Sequence, residues 1–139
     1  MVYCYFIGSM KDKGFRGMVE DYHGRLKRLW PVTLVEVPEQ PKKIEKLLAD
    51  KKERGSLVSL DAHGESMNSG SFTKWVTQSS KDIHFFAWGA DGPPPAALKM
   101  GLKSISLSAM TYPHELARVL LLEQLYRAGA TLKGHPYPR

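Results

Sequence analysis

The sequence has a single cysteine and no long apolar run. Cys4 is the one cysteine among 139 residues, so the chain by itself can form neither a disulfide bond nor a thiolate metal site. No stretch reaches the ~18 consecutive apolar residues that a membrane-spanning helix needs. The first residues lack the basic flank and small-residue cleavage site of a signal peptide. We therefore expect a cytoplasmic protein without a membrane segment, with Cys4 as a small buried hydrophobic residue.

Several signatures of catalysis and cofactor binding are also missing. The first turn, IGSMKDKG, lacks the three-glycine spacing of a dinucleotide-binding loop, and no Walker lysine loop occurs. HELAR at 114–118 begins like a zinc-protease motif, but Arg118 stands where the second histidine is required. The other histidines show no ligand spacing, and there is no nucleophile elbow. Nicotinamide, ATP and acyl-transfer chemistry therefore have no support, and we expect no bound metal.

The composition favours one folded domain with a basic surface. Hydrophobic residues make up 42% and charged residues 24% of the chain, which suits a single domain over residues 1–139. The formal net charge is +6, and residues 11–30 and 42–54 each hold six cations against three acids, or 6 − 3 = +3. Such a surface attracts phosphate-bearing partners. Solvated helix faces explain the two blocks equally well, so charge alone leaves both interpretations open.

Hydrophobic periodicity predicts five strands that alternate with helices. The strands are predicted at 2–8, 32–37, 56–61, 82–88 and 104–109. The helices are predicted at 15–29, from Ile44 to near Gly55, around Phe72, Trp75 and Val76, up to about Met100, and at 113–128, with Thr111 capping the last. This order predicts an α/β fold, a mostly parallel sheet with helices on both faces.

The loops at the carboxyl ends of the strands are the places to look for a ligand, because parallel sheets bind ligands there. The loops to inspect follow Asp61, Trp88 and Ala109. WGADG, after the fourth strand, carries Gly89 and Gly92, which permit positive φ and leave bare backbone against which a flat ligand can lie. Ordinary turn formation also explains two glycines, so both interpretations stay open.

The last third of the chain carries a more specific pattern. Residues 106–139, SLSAMTYPHELARVLLLEQLYRAGATLKGHPYPR, resemble the carboxyl-terminal third of the RlmH family. These are SPOUT-class methyltransferases that methylate the ring N3 of a pseudouridine in large-subunit (23S) ribosomal RNA. The resemblance extends more weakly over the whole chain, through IGS at 7–9, VEVP at 35–38, SLD at 59–61 and the glycine loop. It implies a carboxyl-terminal trefoil knot, S-adenosylmethionine (SAM) as methyl donor, a homodimer, and ribosomal RNA within the ribosome or large subunit as partner.

By position, the resemblance also implies the site residues. The donor pocket would be lined by Leu60, Trp88, Gly89, Gly92, Leu107, Ser108, Met110 and Pro113. His114 and the tail would act at the catalytic centre, with Tyr137 stacking on a base and Arg139 pairing with a phosphate or the donor's carboxylate. His114 could instead cap the start of a helix, and Tyr137 could instead pin the tail to the surface by its own burial. The general base stays unassigned.

The last predicted helix is apolar around nearly its whole circumference. The residues concerned are Leu116, Val119, Leu120, Leu121, Leu122, Leu125 and Tyr126. We expect this helix to be buried on more than one side, with a dimer interface supplying the second side. Arg118, on the same helix, is interpreted either as a phosphate contact or as an ion-pair partner at that interface.

Two positions depart from the family's pattern and keep alternatives open. Trp88 replaces the first glycine of a Gly-Gly-x-x-Gly loop, and its indole could stack on the adenine or fill the pocket and exclude the donor. Pro138 replaces a histidine in the tail, which removes a candidate proton carrier or RNA contact. One alternative is a dimeric, non-catalytic paralogue that binds ribosomal RNA or assists ribosome assembly. The other is an unrelated doubly wound protein that binds a mononucleotide.

Overall fold

The computed structural model describes residues 1–137, in which five strands alternate with five helices. In chain order these are β1 (Val2–Ile7), α1 (Lys13–Leu29), β2 (Val32–Val37), α2 (Pro41–Lys51), β3 (Ser56–Ser66), α3 (Ser69–Gln78), β4 (Ile83–Ala87), α4 (Pro95–Met100), β5 (Lys103–Ser106) and α5 (His114–Leu132). All the strand pairs are parallel, in the order β2-β1-β4-β3-β5. The predicted parallel α/β sheet is therefore confirmed. None of the described helices is long and apolar enough to cross a membrane.

Helices cover both faces of the sheet. Successive strand residues point to opposite sides, and in β1 the residues on both sides are apolar, so each face packs against helices. Cys4 and Phe6 of β1 face a core shared with α1, α3 and α5. Tyr5 and Ile7 face a second core, shared with α2 and α4. Cys4 is fully buried, which confirms the interpretation of this residue as a buried hydrophobic side chain, and the burial raises the pKa of its thiol.

The helix starts follow ordinary capping chemistry in two cases. Asp12 accepts a hydrogen bond from the Phe15 N–H at 3.0 Å and caps α1, and Asn68 accepts one from the Ser71 N–H at 2.8 Å and caps α3. The predicted Thr111 cap of α5 is wrong. The cap position is held by Pro113, without a side-chain hydrogen bond, because the chain has not yet turned into the helix at Thr111.

Two strand ends differ from the prediction, and both lie beside the predicted pocket. β5 ends at Ser106 rather than at 109, because the Ser106 hydroxyl donates to the Ser108 carbonyl at 2.7 Å and the chain turns out of the sheet. β3 continues to Ser66 rather than stopping at 61. Leu60 and Glu65 both pair with Ile105, so residues 61–64 leave the ladder and then rejoin it. We call residues 61–64 the β3 excursion.

The longest helix, α5, lies between α1 and α3 of the same chain. Its buried residues are Arg118, Val119, Leu121, Leu122, Leu125, Tyr126, Ala128, Gly129 and Ala130. The expected burial on more than one side is confirmed, but neighbouring helices supply both sides, so this burial does not require a dimer interface. A half-buried stripe at i, i+4 spacing remains, formed by Leu116, Leu120 and Gln124.

A column of stacked rings crosses β1 and β4 on the α2 side of the sheet. The His84 ring lies 4.7 Å from the Tyr3 ring and 5.8 Å from the Tyr5 ring, measured between centroids. The Tyr5 hydroxyl is hydrogen-bonded to His84 Nδ1 at 2.9 Å. Burial lowers the pKa of His84 below its ordinary value of 6.5, and the charge of Lys51 acts in the same direction. The folded protein therefore favours neutral His84.

This buried histidine predicts a loss of stability in acid. Because the pKa of His84 is lower in the folded state, the unfolded state binds the proton more readily, and the stabilisation is complete only above pH 6.5. We expect the free energy of unfolding, measured in urea at a series of pH values, to fall as the pH drops below 6.5. In His84→Gln, the free energy of unfolding should decrease less as the pH falls. In His63→Gln, at an exposed position, it should decrease as much as in the parent protein. Equal declines in both variants would contradict the prediction.

Candidate functional site

A cleft of about 250 Å³ opens at the carboxyl edge of the sheet. It lies between the β3 excursion and the loops that follow β4 and β5. The lining residues are Leu60, Asp61, Ala62, Ala87, Trp88, Gly89, Gly92, Pro93, Leu107, Met110, Thr111, Tyr112, His114 and Ala117. The structure thus brings together six of the eight residues expected to line the donor pocket, with His114 beside them. We call this space the first cleft.

The first cleft is an apolar slot with bare backbone on one side. Leu60 and Leu107 are half-buried in its walls, and Met110 is 76% exposed at its rim. Gly92 has φ 70° and its N–H donates to the Gly89 carbonyl at 3.0 Å, forming a tight turn. A side chain at Gly92 would be strained in this conformation. A flat ring can therefore lie between apolar walls and approach the backbone of the glycine loop.

Ser108 and Pro113 do not line the first cleft. The Ser108 hydroxyl accepts a hydrogen bond from the Met110 N–H at 3.1 Å, and Pro113 precedes the first residue of α5. Both residues shape the loop between β5 and α5, which forms one wall of the cleft. Their effect on a ligand would be through that loop.

The Trp88 indole is held in the core rather than across the first cleft. Its exposed fraction is 6%, its Nε1 donates to the Ser59 hydroxyl at 2.7 Å, and its ring stacks on Phe86 at 5.5 Å between centroids. The cleft keeps its volume beside this ring. The arrangement therefore gives no support to the alternative in which Trp88 fills the pocket.

A second cleft, of about 560 Å³, lies at the carboxyl ends of β1 and β2. Its lining residues are Gly8, Ser9, Lys11, Glu36, Val37, Pro38, Glu39, Ala90, His114 and Glu115. The exposed His114 belongs to both clefts and forms the ridge between them. Sequence reasoning missed this cleft because it considered only the loops after the third, fourth and fifth strands. The adjacency of β1 to β4 places the other two loops at the same site.

Glu39 ties the second cleft to the glycine loop of the first. One carboxylate oxygen, Oε2, accepts a hydrogen bond from the Asp91 N–H at 3.2 Å. A Cβ atom added to Gly89 would lie 2.6 Å from the Glu39 carboxylate oxygens. The Glu39 side chain therefore occupies the space that a residue with a side chain at position 89 would need. The signal available in the sequence was the position of Glu39 two residues after the end of β2.

Arg118 links α5 to the carboxyl end of β1. Its side chain is fully buried, and its guanidinium donates to the Gly8 carbonyl at 2.9 Å and to the Ile7 carbonyl. Burial lowers the pKa of Arg118, while the charges of Glu115, Glu36 and Glu39 oppose this shift. Both sequence interpretations, a phosphate contact and an ion pair at a dimer interface, are wrong, because the side chain is used inside the fold to position the first turns of α5.

The tail turns back along α5 after Leu132. Gly134 has φ 66°, and the His135 N–H donates to the Ala130 carbonyl at 2.7 Å. The half-buried Tyr137 donates from its hydroxyl to Glu123 Oε1 at 3.3 Å and packs edge-to-face on Tyr126, with 4.5 Å between centroids. The tail is therefore anchored by burial of Tyr137, as one of the two sequence interpretations expected.

This anchoring keeps Tyr137 away from the clefts of its own chain. The Tyr137 hydroxyl also lies 3.3 Å from the Tyr22 hydroxyl. Burial raises the pKa of Tyr137, as do the contacts with Tyr22 and Glu123, so the hydroxyl stays protonated. Glu123 follows His114 by nine positions on α5, which is about 14 Å along the helix axis. Pro138 and Arg139, also singled out from the sequence, lie outside the described residues.

Among residues 1–137, no group of three or more His, Cys, Asp or Glu side chains is placed so that it could hold a metal ion.

Comparison with known proteins relates these features to a family. The sequence profile of a family described as "Predicted SPOUT methyltransferase" matches residues 1–138. A protein named ribosomal RNA large subunit methyltransferase H from Solibacter usitatus is 38% identical over 141 residues, covering 99% of each chain. Its namesake from Gemmatimonas aurantiaca is 33% identical over 145 residues, covering 94% of each chain.

Solved structures share the fold at low sequence identity. A "probable methylase family protein" from Haemophilus influenzae has a TM-score of 0.61 at 12% identity, covering 99% of this chain and 70% of that one. The SpoU methyltransferase AviRb from Streptomyces viridochromogenes, solved with the cofactor AdoMet, has a TM-score of 0.52 at 13% identity, covering 90% of this chain and 56% of that one. With the profile match and the close relatives, these findings show that the chain belongs to the SPOUT methyltransferase family, in the group of the ribosomal RNA large subunit methyltransferases H.

Proposed function

We propose that this protein transfers a methyl group from SAM to the ring N3 of a pseudouridine in large-subunit ribosomal RNA. Its relatives are named as large-subunit ribosomal RNA methyltransferases, and they match it over nearly their whole length. The observation that carries the proposal is the first cleft. It assembles Leu60, Gly89, Gly92 and Leu107 at the carboxyl edge of the sheet, next to His114.

The residues of the first cleft suit the adenosine part of SAM. Leu60 and Leu107 provide apolar walls for the adenine, and the bare backbone of the glycine loop can hydrogen-bond to its edge. Bound SAM supplies an electrophilic methyl group on a sulfonium. The task of the protein is to hold that methyl group in line with the attacking nitrogen, and such positioning is worth up to ~7–11 kcal/mol.

His114 is proposed to contact the donor or the target base, because it is shared by both clefts. The ring nitrogen of the target must lose a proton before or during methyl transfer. His114 is exposed at the ridge and has the chemistry to accept that proton, as does solvent. Arg118, buried beneath the ridge, acts only by holding the start of α5 in place.

Ribosomal RNA within the ribosome or large subunit is the proposed partner, and the cytoplasm the proposed location. Lys11, before α1, and Lys42 and Lys43, in the first turn of α2, are exposed near the ends of β1 and β2. These cations stand at the sheet edge that holds the clefts, where they can contact phosphates. Phosphate contacts orient an RNA without reading its sequence, so the assembled ribosome would present the target nucleotide.

A homodimer is proposed, with the tail of one subunit serving the cleft of the other. The Leu116, Leu120 and Gln124 stripe offers a half-buried surface, and Gln124 Oε1 is buried without a hydrogen-bond partner among the described residues. Tyr137 is anchored about 14 Å along α5 from His114 of its own chain. Any contact of Tyr137 or Arg139 with the target RNA would therefore be made at the partner's site. The trefoil knot stays a prediction from family membership.

Donor binding is the first test of the proposed function. We expect SAM to bind saturably in calorimetry and to change tryptophan emission, because Trp88 stands in the wall of the first cleft. Gly89→Trp should abolish binding, because the new side chain would clash with the Glu39 carboxylate or extend into the first cleft. Purified large subunits with methyl-labelled SAM should then yield an N3-methylated pseudouridine, identified by mass spectrometry. A folded protein that binds RNA but no SAM would instead be the non-catalytic paralogue.

A further inference from the structure

The second cleft adjoins the first at His114, and its carboxylates suit the ammonium group at the amino-acid end of SAM. We propose that Glu39 binds the α-ammonium group of the donor's methionyl part, so that SAM lies across both clefts. This inference rests on the proposed function, because it takes SAM as the ligand of the first cleft. Glu39 lies in the loop between β2 and α2, and the family resemblance did not indicate it as a binding residue.

The volumes favour a donor that extends beyond the first cleft. At about 250 Å³, the first cleft is below the ~300–1,000 Å³ typical of pockets that enclose drug-sized ligands. Its apolar walls suit the flat adenine ring of SAM. The second cleft, of about 560 Å³, begins at the shared residue His114. The amino-acid end of SAM can therefore pass the His114 ridge and lie in the second cleft.

The second cleft carries carboxylates that can face the cationic end of the donor. At neutral pH, SAM carries a positive sulfonium, a positive ammonium and a negative carboxylate, a net charge of +1. The second cleft is lined by Glu36, Glu39 and Glu115 together with Lys11. Arg118 lies behind Gly8, where it donates to the Gly8 carbonyl. Arg16 faces Glu36 at 3.6 Å, so three carboxylates stand against three cations, 3 − 3 = 0, and attraction of the donor's ammonium group depends on the position of a single carboxylate rather than on net charge.

Glu39 is the carboxylate best placed for this contact. Glu115 Oε1 already accepts the backbone N–H groups of Lys11 and Asp12, at 3.0 and 3.1 Å. Glu36 faces the Arg16 guanidinium at 3.6 Å. Glu39 uses Oε2 for a backbone N–H of the glycine loop, and its Oε1 stands over Gly8, 3.3 Å from the position of an added Cβ.

Glu39 lies between the two clefts. Its carboxylate lies against Gly89, which lines the first cleft, and also forms part of the wall of the second. A charge-assisted hydrogen bond from an ammonium group to this carboxylate would fix the amino-acid end of the donor. The same side chain would hold the loop that contacts the adenosine.

A pair of ligands separates these two roles of Glu39. S-adenosylhomocysteine carries the ammonium group, whereas 5′-methylthioadenosine retains the adenosine and sulfur but lacks the amino-acid end. Glu39→Gln keeps an acceptor for the Asp91 N–H and removes the charge. By calorimetry, we expect this variant to bind S-adenosylhomocysteine about five- to tenfold more weakly, and to bind 5′-methylthioadenosine as the parent protein does. The difference should shrink in high salt, because the site is partly exposed.

Glu45→Gln, at an exposed position of α2 that lines neither cleft, is the matched control and should leave both affinities unchanged. Equal losses for the two ligands in Glu39→Gln would overturn the inference, because they would show that Glu39 only shapes the glycine loop. Unchanged affinities in Glu39→Gln, or an equal loss in Glu45→Gln, would also overturn it. If the parent protein binds neither ligand, the proposed function fails together with the inference. If the parent protein binds both ligands but Glu39→Gln does not selectively lose affinity for S-adenosylhomocysteine, the inference fails and the proposed function stands.

Discussion

Arg118→Met is expected to lower the free energy of unfolding by about 2–4 kcal/mol. The fully buried guanidinium donates to the carbonyls of Ile7 and Gly8, and methionine removes both hydrogen bonds. Each unsatisfied buried carbonyl costs about 1–3 kcal/mol, part of which is offset because a charge no longer has to be buried. Urea denaturation monitored by circular dichroism measures the change.

Two further variants make the Arg118 prediction specific. Arg118→Lys keeps the charge but cannot reach two acceptors with a planar fork, so it should also be destabilised. Arg25→Met removes an exposed arginine that pairs with Asp21 and should leave stability unchanged. A loss in Arg118→Met no larger than that in Arg25→Met would contradict the assigned role. In the folded fraction of Arg118→Met, SAM affinity should also fall, because His114 lies one turn away on α5.

Gly64→Ala is expected to destabilise the protein by about 1–3 kcal/mol, as overpacking does in well-packed interiors. A Cβ atom at this position would lie 2.7 Å from the backbone nitrogen of Ile105 and from the carbonyl carbon of Ser104. Backbone atoms cannot move aside as a flexible side chain can. The β3 excursion or β5 must therefore shift, and Leu60 and Asp61 in the wall of the first cleft shift with it.

The Gly64 prediction has a matched control within α1. An alanine Cβ at Gly24 would meet nothing within 4 Å, so Gly24→Ala should stabilise the helix by about 0.5–1 kcal/mol. Thermal unfolding gives the sign of both changes, and calorimetry with SAM shows whether the first cleft is altered. Equal stability of Gly64→Ala and the parent protein would show that the close approach to β5 is not needed.

The alternation of strands and helices was predictable because it depends on local periodicity. The run from Val2 to Ile7 and the apolar spacing of α1 can each be interpreted without knowing their neighbours. The ends of β3 and β5 were not predictable in this way. They depend on how Leu60 and Glu65 both pair with Ile105, and a strand sequence carries no information on which residues of a distant strand it will meet.

The residues of the candidate site also fall into those that a local motif indicated and those that depend on distant contacts. Gly89 and Gly92 were indicated by the glycine loop itself and by the family pattern, and both line the first cleft. Glu39 was missed, because its hydrogen bond to the Asp91 N–H spans 52 positions. Arg118 was misinterpreted as a surface or interface cation, because its contact with Gly8 spans 110 positions. Both contacts depend on the adjacency of β1 to β4 in the sheet.

By itself, the sequence determined the parallel α/β class, the helix faces, the glycine loop and the family of this protein, because apolar spacing and short motifs act over a few residues. Only the tertiary structure decided that His114 stands between two clefts, that Trp88 is held in the core by Ser59, and that Tyr137 is anchored away from its own site. The physical reason is that strand order brings distant loops to one sheet edge, and packing there selects which polar groups are buried and which stay exposed.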